Sequence, residues 1–171
     1  MTEPDFDPLR ALRTFNAHGV RYVVIGGYAS MIIGAPIITR DLDVCYERTK
    51  ANMDNLAEAL RELGAKLRAA RVDEELPFIL DGRTLAAGDS FTFRTDVGPL
   101  DIRGTPSGTG GFADLLRQAG AYEIEDGLVV NVVGLDDLIR MKEAAGRAKD
   151  EAHLHVLAAL KEMIAEAEEP R

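Results

Sequence analysis

Apolar positions along the chain fall into runs of two periods, and their alternation sets the expected order of elements. Leu9, Leu12 and Phe15 repeat at helical spacing behind Asp7-Pro8, a capping residue followed by proline at the first helical position, and Gly19 is a natural stop. VRYVVI (20–25) is a short, β-branched apolar run of the kind that forms a buried strand, and Gly26-Gly27 ends it. A short helix is expected from Tyr28 to Ile33, broken by Gly34-Ala35-Pro36. TRDLDVCY (39–46) then alternates, placing Asp41, Asp43 and Cys45 on one side of a strand and Leu42, Val44 and Tyr46 on the other.

Helical spacing returns from Thr49 through Met53, Leu56, Ala57, Leu60 and Leu63, up to Gly64. Residues 65–90 carry weaker signals, read as a strand near 77–80, a turn at Asp81-Gly82 and irregular chain beyond. FTFRT (91–95) and LDIRG (100–104) flank a turn-rich stretch and predict a hairpin. A Gly/Ser/Thr/Pro loop (104–111) leads to a short helix at 112–119, and LVVNVVG (128–134) predicts another strand. Helices at 135–146 and 150–167 complete the pattern, the second with Leu154, Leu157, Leu160 and Ile164 on one core-facing side. The expected fold is α+β (mixed α/β), with a small, mostly antiparallel sheet flanked by helices. Residues 1–171 read as one domain, with helices 135–167 packing on its core, because no repeat, low-complexity run or flexible linker divides them.

Composition narrows the class. With 46% hydrophobic and 29% charged residues the chain is globular rather than disordered. A single cysteine allows neither an internal disulfide nor a cysteine-rich zinc site. Apolar runs such as 128–133 fall far short of the ~20 residues a membrane helix needs. The acidic start MTEPDFDP has no apolar signal region, so a cytoplasmic protein with no membrane partner is expected. A net charge of -9 disfavours gripping nucleic acid through the whole surface. Locally, Arg61, Lys66, Arg68 and Arg71 stand against Glu62 alone, most plainly a solvated helix end, otherwise a docking point.

The chemistry gathers around aspartates. Asp41 and Asp43, two apart in a strand, would hold their carboxylates roughly 6–7 Å apart on one face. Arg40 points the other way, so a divalent cation is the economical counter-charge, and hard oxygen donors suit Mg²⁺ or Mn²⁺. Asp101 stands between Leu100 and Ile102 in a separate strand. If that strand neighbours 39–46, three aspartates converge, enough to hold two metals about a phosphoryl transfer. Gly26-Gly27, between strand and helix, lets backbone N–H groups approach phosphate oxygens. Cys45 reads as a small buried residue, its thiol pKa raised by neighbouring carboxylates. His153 and His155 do not share a helix face and His18 stands apart, so no histidine pair for a metal is expected.

VVIGGYAS (23–30), TRDLDV (39–44) and GPLDIRG (98–104), in that order, resemble the polymerase-beta-type nucleotidyltransferase superfamily. Within it the chain is most similar to the small AbiEii-like group, which includes toxins of type IV toxin–antitoxin systems, through LIRMKEAAGRAKD (138–150). The resemblance spans residues 8–160 and implies metal ligation by Asp41, Asp43 and Asp101, with Asp101 activating the acceptor hydroxyl. It implies a nucleotide-binding set of Gly26, Gly27, Thr39, Arg40, Lys142, Arg147, Lys149 and Asp150. Lys142 would contact phosphate, and Asp150 would fix Lys142 or Arg147. The chain departs from the pattern at Ile37, where relatives commonly carry a basic residue.

The resulting expectation is a Mg²⁺-dependent enzyme moving a nucleoside monophosphate from an NTP to a hydroxyl. The acceptor would be a tRNA 3′ end, a protein side chain or a small molecule, with a cognate antitoxin as partner in the toxin-like case. The alternatives are a small-molecule (antibiotic-type) adenylyltransferase and a non-catalytic binding module of a toxin–antitoxin pair.

Overall fold

The computed structural model describes residues 3–68 and 78–169. Asp7 caps α1 (Pro8–Ala17) by accepting from the Arg10 amide at 3.1 Å. β1 (Tyr22–Ile25) comes next, then α2 (Gly26–Ile32), which begins at the two glycines rather than after them. β2 (Leu42–Tyr46) starts one residue beyond Asp41, and α3 (Lys50–Glu62) is capped by the Thr49 hydroxyl. The chain then forms β3 (Lys66–Leu67), α4 (Gly82–Ala87), β4 (Ser90–Thr95) and β5 (Gly98–Arg103). It continues through α5 (Phe112–Leu116), β6 (Gly120–Glu125), β7 (Leu128–Val132), α6 (Leu135–Ala145) and α7 (Ala148–Glu168).

Seven strands form one sheet in the order β3-β4-β5-β2-β1-β7-β6. β1 runs antiparallel to β2 and parallel to β7, and β2 runs parallel to β5, while the outer pairs are antiparallel. The expected mixed, mostly antiparallel α+β architecture is the one found. On one face, Phe15 of α1 meets Tyr22 edge-on with ring centroids 5.3 Å apart, and Leu12, Leu56 and Leu60 complete a buried core. The other face carries α6, which packs on α7 and α2.

Several expectations need correction. Residues 78–80 form no strand, and position 77 lies outside the described residues. Beyond Asp81 the chain turns into the short helix α4, because the Asp81 carboxylate accepts from the Thr84 amide at 2.7 Å and caps it. Lys66, in the basic stretch 61–71, belongs to a short strand rather than a helix end, Arg61 binds the Leu80 carbonyl, and Arg71 lies outside the described residues. Strand β6 had no counterpart in the expected order of elements; it turns through Asp126-Gly127, with Gly127 at φ +74°, into β7. Of the apolar residues of α7 only Leu157 is fully buried; Leu160 packs on the core partly buried and Ile164 is 40% exposed, so the apolar stripe leaves the core in the helix's second half.

Candidate active site

The site begins with strand register. β2 and β5 run side by side with Asp43 opposite Asp101, and Asp41 enters β2 from the bend just before it. One oxygen from each of the three carboxylates lies within 4.8 Å of the others. Such proximity is costly for three negative charges in the absence of a cation or a proton. Burial, then the neighbouring Asp41 and Asp101 charges and a hydrogen bond shared with Asp101, push the Asp43 carboxyl up to about 8, against the opposing pull of Arg103. Asp101 Oδ1 is buried and has no hydrogen-bond partner among the described residues. Three converging hard-oxygen donors with an orphaned, buried acceptor fit a divalent cation such as Mg²⁺.

The two glycines serve this cluster directly. A Cβ on Gly26 would stand 2.3 Å from Asp43 Oδ2, and one on Gly27 would stand 2.9 Å from Thr39 Cβ. Glycine is therefore what lets Asp43 and Thr39 seat against α2. Thr39 in turn donates through its hydroxyl to Asp41 Oδ1 at 2.6 Å, fixing the carboxylate's orientation.

Beside Asp43 opens a cleft of about 300 Å³, walled on the sheet side by Ile25, Gly26 and Arg103 and by Pro106 and Ser107 of the adjoining loop. Leu138, Met141, Lys142 and Ala145 of α6, with Arg147, form the opposite wall. Asp150, 1% exposed, accepts from Lys142 Nζ at 3.0 Å and from Arg147 Nε at 2.9 Å, and from the Arg147 amide at 3.2 Å. Burial works to raise the Asp150 carboxyl, but the hydrogen bonds from Arg147 and Lys142 hold it at about 2. Lys142, Arg147 and Asp150 thus come together at the cleft. Arg40 and Lys149 do not: both are exposed, and neither lines it. Ile37 is buried at 6% exposure, so no cation enters from that position.

Arg103 escaped sequence reading, although its signal was present. It lies two residues beyond Asp101 in the same strand, and so on the same face. Cys45 is fully buried, its thiol donates to the Gly104 carbonyl at 3.5 Å, and burial, then the Asp89 charge, pushes it up to about 12. It is a packing residue, and the carboxylate that acts on it is Asp89 rather than the expected neighbours.

The fold has counterparts among solved structures. LnuA, a lincosamide antibiotic adenylyltransferase with lincomycin bound, superposes with a TM-score of 0.60 at 12% identity, over 91% of this chain and 99% of that one. The fold is the nucleotidyltransferase fold. A Thermotoga maritima protein assigned as a nucleotidyltransferase superposes with a TM-score of 0.56 at 17% identity, over 89% of this chain and 94% of that one. No family model matches the sequence, and neither does any curated protein. Among the described residues no helix is long and apolar enough to cross a membrane.

Proposed function

We propose that the chain is a nucleotidyltransferase that moves a nucleoside monophosphate from an NTP to a hydroxyl acceptor and releases pyrophosphate. The observation that carries this reading is the meeting of Asp41, Asp43 and Asp101 within 4.8 Å, beside a cleft lined by Lys142 and Arg147. Asp41, Asp43 and Asp101 would hold Mg²⁺ or Mn²⁺, which would neutralise phosphate charge and lower the pKa of a bound hydroxyl. Asp101, whose Oδ1 has no hydrogen-bond partner among the described residues, is suited to take the acceptor's proton. Thr39 keeps Asp41 oriented, and Lys142 and Arg147, fixed by Asp150, bind phosphate oxygens. An intact carboxylate cluster argues against a decayed, purely binding module.

A small hydroxyl-bearing molecule is the favoured acceptor, on the likeness to an antibiotic adenylyltransferase across nearly its whole chain. A tRNA 3′ end, with a cognate antitoxin, is the second reading, favoured by the resemblance of residues 138–150 to the toxin-like group, whose matching Lys142, Arg147 and Asp150 meet here. Incubation with each labelled NTP, Mg²⁺, total RNA and a small-molecule extract separates them. Label is expected in a small hydroxyl compound; label in tRNA selects the toxin-like reading. No label in any fraction overturns transferase activity.

A further inference from the structure

We infer that Arg103 is a phosphate-binding residue of this site, gripping the departing pyrophosphate from the sheet side of the cleft. The inference rests on the nucleotidyl-transfer reading and adds a residue that the sequence resemblance does not assign. Arg103 pairs in register with Cys45, one strand repeat from the Asp43–Asp101 pair, so its side chain rises from the carboxylate face. It is exposed and lines the cleft, and among the described residues it makes no close ion pair, its charge acting on Asp43 at longer range. Its guanidinium is held by a 3.4 Å hydrogen bond to the Ser90 hydroxyl.

The charge balance of the cleft points to a polyphosphate. Lys142 and Arg147 share one carboxylate, Asp150, which leaves an excess positive charge on the helix side, and Arg103 adds another across from it. The remaining lining is apolar apart from Asp43, Ser107 and the Gly26 backbone, so few neutral groups are there to read a sugar or base. Two guanidinium groups lining one cleft offer the bidentate donors that phosphate oxygens accept. In the transfer step the acceptor oxygen bonds to Pα while the Pα–O–Pβ bridge breaks. The bridging electron pair leaves on the pyrophosphate oxygen, and the hydroxyl proton passes to Asp101. Charge therefore grows on the pyrophosphate, where a fixed cation counts most.

Titration of Mg-pyrophosphate by calorimetry into wild type, Arg103→Met and Arg103→Lys tests this without any acceptor. Arg103→Met should bind about ten- to a hundredfold more weakly, and Arg103→Lys should recover part of the loss. Nucleoside monophosphate affinity should be the same in wild type and Arg103→Met. Wild-type pyrophosphate affinity in Arg103→Met overturns the inference, as does an equal loss of monophosphate binding. If wild type binds neither NTP nor pyrophosphate, the nucleotidyl-transfer reading itself falls.

Discussion

Gly26 has no room for a side chain, and its backbone has no tolerance for one. Its φ of +71° lies in the left-handed region, and the Asp43 carboxylate occupies the space a Cβ would take. Gly26→Ala is expected to cost about 1–2 kcal/mol from backbone strain alone. It should also displace Asp43, and an ångström of misplacement at a reacting centre costs about a hundredfold in rate. Urea denaturation and label transfer measure the two effects separately; an alanine variant with wild-type turnover would remove Gly26 as the seat of Asp43. Sequence reading found the right glycines for a different reason. It expected a phosphate approach, whereas the contact that demands glycine at each position is with this chain's own Asp43 and Thr39. The aspartates were legible because strand alternation and a neighbouring strand suffice to bring them together. Arg40 and Lys149 were not separable from the cleft-lining cations, since charge in a sequence does not say which way a side chain leaves a bend or helix.

At the scale of elements, the α6–α7 junction ties the cationic wall to the fold. Gly146, at φ +61°, closes α6, and Arg147 is the N-cap of α7, its amide donating to Asp150 three residues on. Lys142 is only 15% exposed at its side chain, and Asp150 is the carboxylate that pairs with its ammonium. Asp150→Asn would leave that charge unpaired and is expected to destabilise by about 3–5 kcal/mol, read by urea unfolding. Because the folded-state pKa of Asp150 lies below the ordinary carboxylate value, its stabilisation is complete above about pH 4. It is lost as pH falls toward 2, so the variant should converge on wild type in acid. An Asp150→Asn protein as stable as wild type at pH 7 would show that the junction is held by packing alone. The long helices, β1, β2, β4, β5 and β7 were readable because their apolar periods are clean. β6 was missed because only one of its side chains, Ile124, is apolar and packed inward, while Ala121 and Glu123 face out and Tyr122 is 38% exposed. Its Asp126-Gly127 turn was the available signal. α4 was missed because six residues hold too little periodicity, and its cap is a single aspartate.

For the whole molecule, the carboxylate cluster links folding to ligand. In the metal-free protein Asp43 keeps its proton to about pH 8, well above the ordinary carboxylate value near 3.8. The folded state then binds more protons than the unfolded one between those values, so stability from this group is complete below about pH 4. That contribution is lost as pH rises through 8. A divalent cation replaces the proton, so its stabilising effect should grow from pH 6 to pH 8. Mg²⁺ and an NTP together should stabilise more than either alone, because metal and triphosphate charges neutralise each other among Asp41, Asp43 and Asp101. At a ligand concentration ~100 times Kd the gain is ~2.7 kcal/mol. For a chain of this size that corresponds to a Tm rise of roughly 5–10 °C. Asp41→Asn combined with Asp43→Asn should abolish the metal-dependent part of the rise and flatten the pH dependence of the metal-free Tm, while relief of repulsion raises its basal value. A double variant that keeps the full shift would place the nucleotide away from the carboxylates, and a wild-type protein that shows none with any common NTP would leave the cluster without a nucleotide to serve.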